Sequence, residues 1–262
     1  MPNLDHLSAT CEAAIRAGAR ELMAWKGRFS TREKAARDLV TDADLASQEA
    51  IRKAIRQEFP DHGFLGEEDP NMEQLDRPYC WIVDPLDGTT NYVHHYPFFA
   101  VSVAVAQAGQ LVAGGVLDPI QDEYFEASLG QGSKLNGQPI AVSNTVALEE
   151  SLLAVSLPPS PQLDDLDVRA FLQVVPRCQA VRRTGSAALN LAYVACGRLD
   201  AHWAHFIHPW DSAAGILLVR EAGGVATAAA GGEFRLAEAD YLVGATRQLH
   251  ETLLPLIFGT NG

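Results

Sequence analysis

No apolar run in this 262-residue chain approaches the roughly 18 residues needed to cross a bilayer. The opening Met1-Pro2-Asn3-Leu4-Asp5 also lacks the basic start and apolar stretch of a secretory leader, so the expected location is the cytoplasm, with no membrane partner. Cysteine is scarce. Cys11, Cys80, Cys178 and Cys196 stand far apart with no CxxC pair, which points to neither a zinc knuckle nor a disulfide scaffold. Positive charge is short as well: 20 Lys and Arg face 33 Asp and Glu, and the net charge of −13 argues against nucleic acid as a partner. It does not argue against a phosphate substrate, because bound cations reverse the local potential. Two nucleophile signatures are missing, the Gly-x-Ser-x-Gly elbow and the Cys-x5-Arg phosphatase loop. Gly130-Gln131-Gly132-Ser133-Lys134 fits the spacing of neither a Walker A loop nor a dinucleotide fingerprint, and reads as a turn between strands.

What the chain does have is core: at 47% hydrophobic it can fill one large unit over 1–262 or two intimate halves, 1–142 and 143–262. Its most informative stretch is Trp81-Ile82-Val83-Asp84-Pro85-Leu86-Asp87-Gly88-Thr89-Thr90. An apolar strand runs into two carboxylates, Pro85 holds Asp84 extended, and Asp87-Gly88 reads as a tight turn before helix-starting threonines. Two carboxylates at the end of a buried strand repel each other unless a cation sits between them. A hard divalent ion is the simplest remedy, and amides at the turn are then free to hold a phosphate. A bare Asp-x-x-Asp is also what an acidic helix cap looks like. The string is not an EF-hand loop, since Gly88 is fifth rather than sixth from Asp84.

Around this stretch the pattern alternates helices and strands. Apolar spacing predicts a helix over Leu4–Trp25 and a second from Val40-Thr41-Asp42 to Phe59, with Lys26–Asp38 as a loop or a short hairpin. Phe64-Leu65-Gly66-Glu67-Glu68 is a short strand ending in acids. Strand-like runs over 99–106, 111–117, 123–127 and 139–142 form an antiparallel meander. Beyond Ser143 come a strand over 152–157, a Pro- and Asp-rich loop, and a helix over 167–175. A helix opening at Thr184, a strand over 198–203, an apolar helix capped by Trp210-Asp211, a strand over 241–244 and a last helix from Thr246 complete the chain.

The ten-residue string resembles the first signature of the inositol monophosphatase family, the magnesium-dependent, lithium-sensitive phosphomonoesterases. Gly66-Glu67-Glu68 resembles that family's metal-binding Gly-Glu-Glu, and Trp210-Asp211-Ser212-Ala213-Ala214-Gly215 its second signature, all in the family's order. The resemblance implies a mixed α/β fold, a layered α-β-α-β-α sandwich of the inositol monophosphatase and fructose bisphosphatase type. It implies a metal-site half over 1–142, a substrate half over 143–262, and a homodimer. Glu67, Asp84, Asp87 and Asp211, with the main-chain oxygen of Leu86, form an all-oxygen ligand set suited to two or three Mg2+ ions, with Mn2+ as a substitute. Asp44 corresponds to the acid that orients the signature threonine, here Thr89, which takes the proton of the attacking water; Glu67 is the competing base. Substrate contacts fall to Asp87, Gly88, Thr89, Thr90 and Asp211, and to Gly185-Ser186-Ala187, which resembles a Gly-Thr-Ala contact with Ser186 in place of Thr.

The chain departs from the pattern at Ala204, where inositol-specific members carry a Glu that hydrogen-bonds the polyol. The expected substrate is therefore a small phosphorylated metabolite, inositol 1-phosphate first, with histidinol phosphate, fructose bisphosphate or adenosine bisphosphate as alternatives. His202, His205 and His208 around that position line an altered pocket or simply pack. Two rivals are weaker. Asp42-Ala43-Asp44 resembles a haloacid dehalogenase nucleophile but is followed by Ala46 where Thr or Val stands in those enzymes, and His94-His95 has no third ligand at zinc spacing. A reading of another class is an interaction protein of the transcription machinery, a role that some bacterial relatives combine with the fold.

Overall fold

The computed structural model describes residues 3–35 and 38–258. Helix α1 (Leu4–Trp25) starts at Asn3, whose side chain accepts the Asp5 amide, and buries Leu7, Cys11, Ala14, Ile15, Gly18 and Leu22 along one face. Strands β1 (Thr31–Ala35) and β2 (Asp38–Thr41) pair antiparallel, so the Lys26–Asp38 stretch is a hairpin; its residues 36–37 lie outside the described ones. Helix α2 (Asp42–Glu58) packs against α1, so closely that a Cβ on Gly18 would stand 2.7 Å from Ile51 Cδ1.

Strands β3 (Gly63–Gly66), β4 (Tyr79–Asp87), β5 (Ala100–Gln107), β6 (Gln110–Asp118), β7 (Glu123–Ser128), β8 (Ser133–Leu135) and β9 (Gln138–Ile140) form one seven-stranded sheet in sequence order. Only β3 and β4 run parallel; the rest is the expected meander. Between β4 and β5 lies the short helix α3 (Thr89–Val93). Side chains alternate across the sheet. Trp81, Val83, Val101, Val103 and Val105 face α1 and α2, while Ile82, Ala100, Ala104 and Ala106 face the opposite layer.

The second sheet holds β10 (Leu152–Val155), β11 (Ala180–Arg182), β12 (Ala201–Ala204), β13 (Val225–Ala228) and β14 (Tyr241–Gly244) in the order β11-β10-β12-β14-β13. Its outer face packs on α4 (Leu166–Val174) and α7 (Arg247–Phe258) through Leu153, Val155, Trp203, Leu242, Leu249 and Leu253. Helices α5 (Ala187–Ala195) and α6 (Pro209–Glu221) fill the space between the two sheets, completing the α-β-α-β-α order. Lying between sheets, α5 and α6 are apolar nearly all round, with every residue from Ser212 to Val219 buried. The small side chains on β5 make room for them: a Cβ on Gly114 of the neighbouring strand would meet Ala214 Cα at 3.2 Å.

Several expectations need correction. The chain does not leave β4 at Pro85: pairing lapses between Asp84 and Asp87, where Pro85 has no N–H to offer, and resumes with Asp87 opposite Ala100. Helix α5 begins at Ala187 rather than Thr184, because the Ser186 side chain caps it by accepting the Leu189 amide. Strands β8, β11 and β13 carry no period long enough to read from sequence, and β8 occupies part of the stretch expected as a turn. No helix among the described residues is long and apolar enough to cross a membrane.

The contact between α5 and α6 is the tightest test of this packing. A Cβ on Gly215 would lie 2.4 Å from Leu191 Cβ, with both helices clamped between sheets. Gly215→Val should destabilise the protein by about 1–3 kcal/mol, read from the urea midpoint at unchanged m-value.

Candidate active site

The irregular stretch of β4 is where the site begins. Asp84 and Asp87 are buried, and Asp84 Oδ1 accepts the Leu86 amide at 2.9 Å, bridging the irregular stretch of the strand. Gly88 follows at φ 98°, a left-handed conformation that suits glycine. A side chain there would also press on the carbonyls of Phe98 and Gly185 at 3.1 and 3.2 Å. Glu67 comes from the end of β3, where its amide bonds the Val83 carbonyl at 3.2 Å. Asp211 comes from the first turn of α6, with Oδ2 accepting the His208 amide at 2.8 Å.

These elements converge so that carboxylate oxygens of Asp84, Asp87 and Asp211 all lie within 4.8 Å of one another. Glu67 stands beside this group, hydrogen-bonded to Asp84. Burial first, then the charges of Glu67, Asp87 and Asp211, hold the Asp84 carboxyl well above the ordinary carboxylate range. Burial likewise raises Asp87, to about 6, against hydrogen bonds from Ser186, Ala188 and Ala187 that favour its charged form. An all-oxygen, largely buried group of mutually repelling carboxylates of this kind fits a hard divalent cation.

Thr89 sits one turn beyond. Its hydroxyl lies 3.1 Å from both Asp44 Oδ1 and the Leu86 carbonyl, neither of which can donate, so its single proton points into the wall. Asp44 is fully buried at the start of α2, and its Oδ2 takes the Thr41 amide at 2.8 Å and the Thr41 hydroxyl at 2.5 Å. Asp42 is elsewhere, paired with Arg32 at 2.9 Å, so the Asp42-Ala43-Asp44 pair does not act as a unit.

A cavity of about 710 Å3 opens from the carboxylates. Glu67, Asp87, Gly88, Thr89, Thr90, Gly185, Ala187 and Asp211 line it. Ser186 does not: it is buried behind the wall, and its hydroxyl donates to Asp87 Oδ2. The Ala187 and Ala188 amides donate to the same carboxylate at 3.2 and 2.8 Å, so the start of α5 is already occupied by Asp87. Sequence reasoning also missed Leu39, Ser156 and Asn91 in the wall. Asn91 donates to Phe98 and Thr184 carbonyls at 2.7 and 2.9 Å, stitching α3 to the segment before α5. Ser156 and Asn91 match no chemistry-bearing motif, so only their neighbours reveal them.

The three histidines divide. His205 and His208 line the cavity, His208 stacked on Trp210 at 4.6 Å between centroids. His202 is fully buried, and burial pushes it down to about 3, leaving a neutral ring between Ser156 Oγ and Tyr241 Oη, each at 3.1 Å. His94 and His95 are exposed and belong to no cluster of three metal-ligating side chains among the described residues.

The sequence model of the inositol monophosphatase family matches residues 3–258. Among curated relatives, the inositol-1-monophosphatase of Synechocystis is 42% identical over 224 residues, covering 85% of this chain and 78% of that protein. The Nus factor SuhB of Pseudomonas aeruginosa is also 42% identical over 224 residues, covering 84% and 83%. Among solved structures, the inositol monophosphatase of Anabaena superposes with a TM-score of 0.86 at 36% identity, covering 97% of this chain and 96% of that one. The extragenic suppressor protein suhB of Bartonella henselae superposes at 0.90 and 35%, covering 96% and 98%.

The raised carboxyls make a pH prediction. Asp87 binds its proton more tightly folded, at about 6 against an ordinary 3.8, so its stabilising contribution is complete below the ordinary range and lost as pH rises through about 6. In chelator, the wild type should therefore lose about 1–2 kcal/mol more stability between about pH 5 and pH 7.5 than Asp87→Asn, by urea denaturation. Equal losses would show that burial does not raise this carboxyl.

Proposed function

Because the chain belongs to the inositol monophosphatase family, we propose that it is a metal-dependent phosphomonoesterase acting on a small phosphorylated metabolite, inositol 1-phosphate being the first candidate. The observation that carries this reading is the Asp84, Asp87 and Asp211 group, with Asp87 and Asp211 lining the cavity and Asp84 buried behind them, beside a threonine whose proton is directed onto Asp44. We assign Glu67, Asp84, Asp87, Asp211 and the Leu86 carbonyl to holding Mg2+, or Mn2+ in its place. Two or three such ions, when bound, would neutralise phosphoryl oxygens and lower the pKa of the attacking water.

The chain's own groups then divide the work. Thr89, with its proton held toward Asp44 and Leu86, keeps lone pairs on its oxygen to accept a proton from water, and Asp44 can take up the hydroxyl proton in turn. Glu67 is the alternative acceptor. Gly88, Thr89 and Thr90 present the phosphate-binding backbone, while Asp87, Gly185, Ala187 and Asp211 border the bound ester. Ser186 acts indirectly, orienting Asp87. In this reading the half over 1–142 brings most metal ligands, and the half over 143–262 brings Asp211 and the outer cavity.

A second reading draws on the relatives named Nus factor SuhB, among them those of Pseudomonas aeruginosa and Escherichia coli. It gives the chain a protein-binding role in transcription alongside the site. Capture of a partner by Asp87→Asn as efficiently as by wild type would support it.

Chelator-sensitive phosphate release in magnesium, measured over inositol 1-phosphate, histidinol phosphate, fructose 1,6-bisphosphate and adenosine 3′,5′-bisphosphate, tests the enzyme reading directly. Asp87→Asn should abolish turnover while keeping the fold by circular dichroism. Thr89→Ala should lower kcat by about 10²–10³-fold with a smaller change in KM. Full turnover by either variant would remove its residue from the mechanism.

A further inference from the structure

Strands β10 and β12 run parallel with Val155 opposite Trp203, so the segments that follow them leave the sheet side by side. Both segments line the cavity, Leu157, Pro158, Pro159 and Pro161 from the first, Phe206 and Ile207 from the second. Phe206 differs from the rest. Its side chain is 69% exposed, and its backbone lies at φ 53°, a left-handed conformation that bulky residues rarely adopt. Asp240, immediately before β14, secures that bend by accepting the backbone N–H groups of Phe206 and Ile207. The ring belongs to none of the three apolar clusters, and its one aromatic neighbour among the described residues is His205, 6.3 Å away between centroids. A strained, exposed ring that packs into no core gains its burial only when something enters the cavity.

We propose that Phe206 is a stacking platform for a planar ring carried by the substrate, so that the ester taken by this cavity is of the nucleoside monophosphate type. The proposal rests on the phosphomonoesterase reading, and it places adenosine-type esters ahead of inositol 1-phosphate among that reading's candidates. The chemistry of the wall favours a ring over a polyol. Leu157, the three prolines, Phe206 and Ile207 carry no hydrogen-bonding side chain, so hydroxyls brought against them would lose water without gaining a partner. A flat base would instead bury its faces and meet an aromatic face in return. Reach is also suitable. Five residues part Phe206 from Asp211, at most about 17 Å of extended chain, and the helical start at Pro209 shortens that span. A sugar can therefore bridge a phosphate at the carboxylates and a base on Phe206. Asp240 is then a positioning residue, holding the bend that presents the ring.

The alternative is that Phe206 only covers the end of the sheet. Adenosine 5′-monophosphate and ribose 5-phosphate separate the two readings, since they share phosphate and sugar and differ by the base that replaces the anomeric hydroxyl. Phe206→Gly removes the ring while suiting the left-handed backbone, so the fold should survive. It should raise the ratio of KM for adenosine 5′-monophosphate to KM for ribose 5-phosphate about tenfold, the loss of one stacked base, with a smaller effect on kcat. Phe206→Tyr keeps an aromatic face and should keep the wild-type ratio, whereas a merely structural ring would move both esters alike. Where either ester resists hydrolysis, equilibrium dialysis in magnesium supplies its Kd for the same ratio. A ratio unmoved in Phe206→Gly, or raised equally in Phe206→Tyr, overturns the proposal. Resistance of both esters counts against the phosphatase reading instead, and the ratio of Kd values still decides this one.

Discussion

Like charges brought together out of water are the constraint on which this structure depends. Glu67, Asp84, Asp87 and Asp211 arrive from a strand end, a strand irregularity and a helix start, and burial makes their repulsion expensive. The Leu86 and His208 amides, bonded to Asp84 and Asp211, offset part of it. The surrounding packing fixes the elements that carry the carboxylates so that they cannot swing apart. Asp87 shows the device most clearly. Three donors from the start of α5 hold its oxygens, which ties the first sheet to the middle layer and leaves the carboxylate pointed at its neighbours.

Rigidity of that frame comes from the layer between the sheets. Alanines on one face of β5, with Gly114 and Gly215, let α5 and α6 approach closely, while valines and Trp81 fill the opposite face. Large side chains on one side and small ones on the other place the α6 start, and with it Asp211, against the end of β4. The same closeness leaves no slack to relax a misplaced carboxylate, in keeping with native packing density.

The cavity is chemically graded along its length. Its floor is acidic and suited to cations, and the bend beside it is backbone, where Gly88 keeps the approach open. The outer wall carries neutral His202 behind Ser156 and His205 oriented by Asp167. The two ends of the cavity are thus built by different stretches of chain, the acidic end by short motifs and the outer wall by contacts across the second sheet.

How much of this could be read in advance follows from the range of the forces involved. Helices α1 and α2 each bury one face, so their apolar period announced them, and the strand ending Trp81-Ile82-Val83-Asp84 announced where carboxylates would be buried. The antiparallel meander was legible because its turns carry Gly, Asn and Asp. Helix α5 lacks a polar face because both its sides are covered, and β11 and β13 are four residues or fewer at sheet edges, so neither carries a local signal of its boundaries. The sequence by itself determined which groups are present and, through period and turn chemistry, most of the elements that bear them. Only the tertiary structure decided that Ser186 serves Asp87 rather than the cavity, that Asp167 orients His205, and that Asn91 joins two loops. Those pairings span 99, 38 and 93 residues, and no local rule reaches across such separations. They exist because five layers of side chains must pack at once, and the polar groups caught between them must find whichever partner that packing brings near.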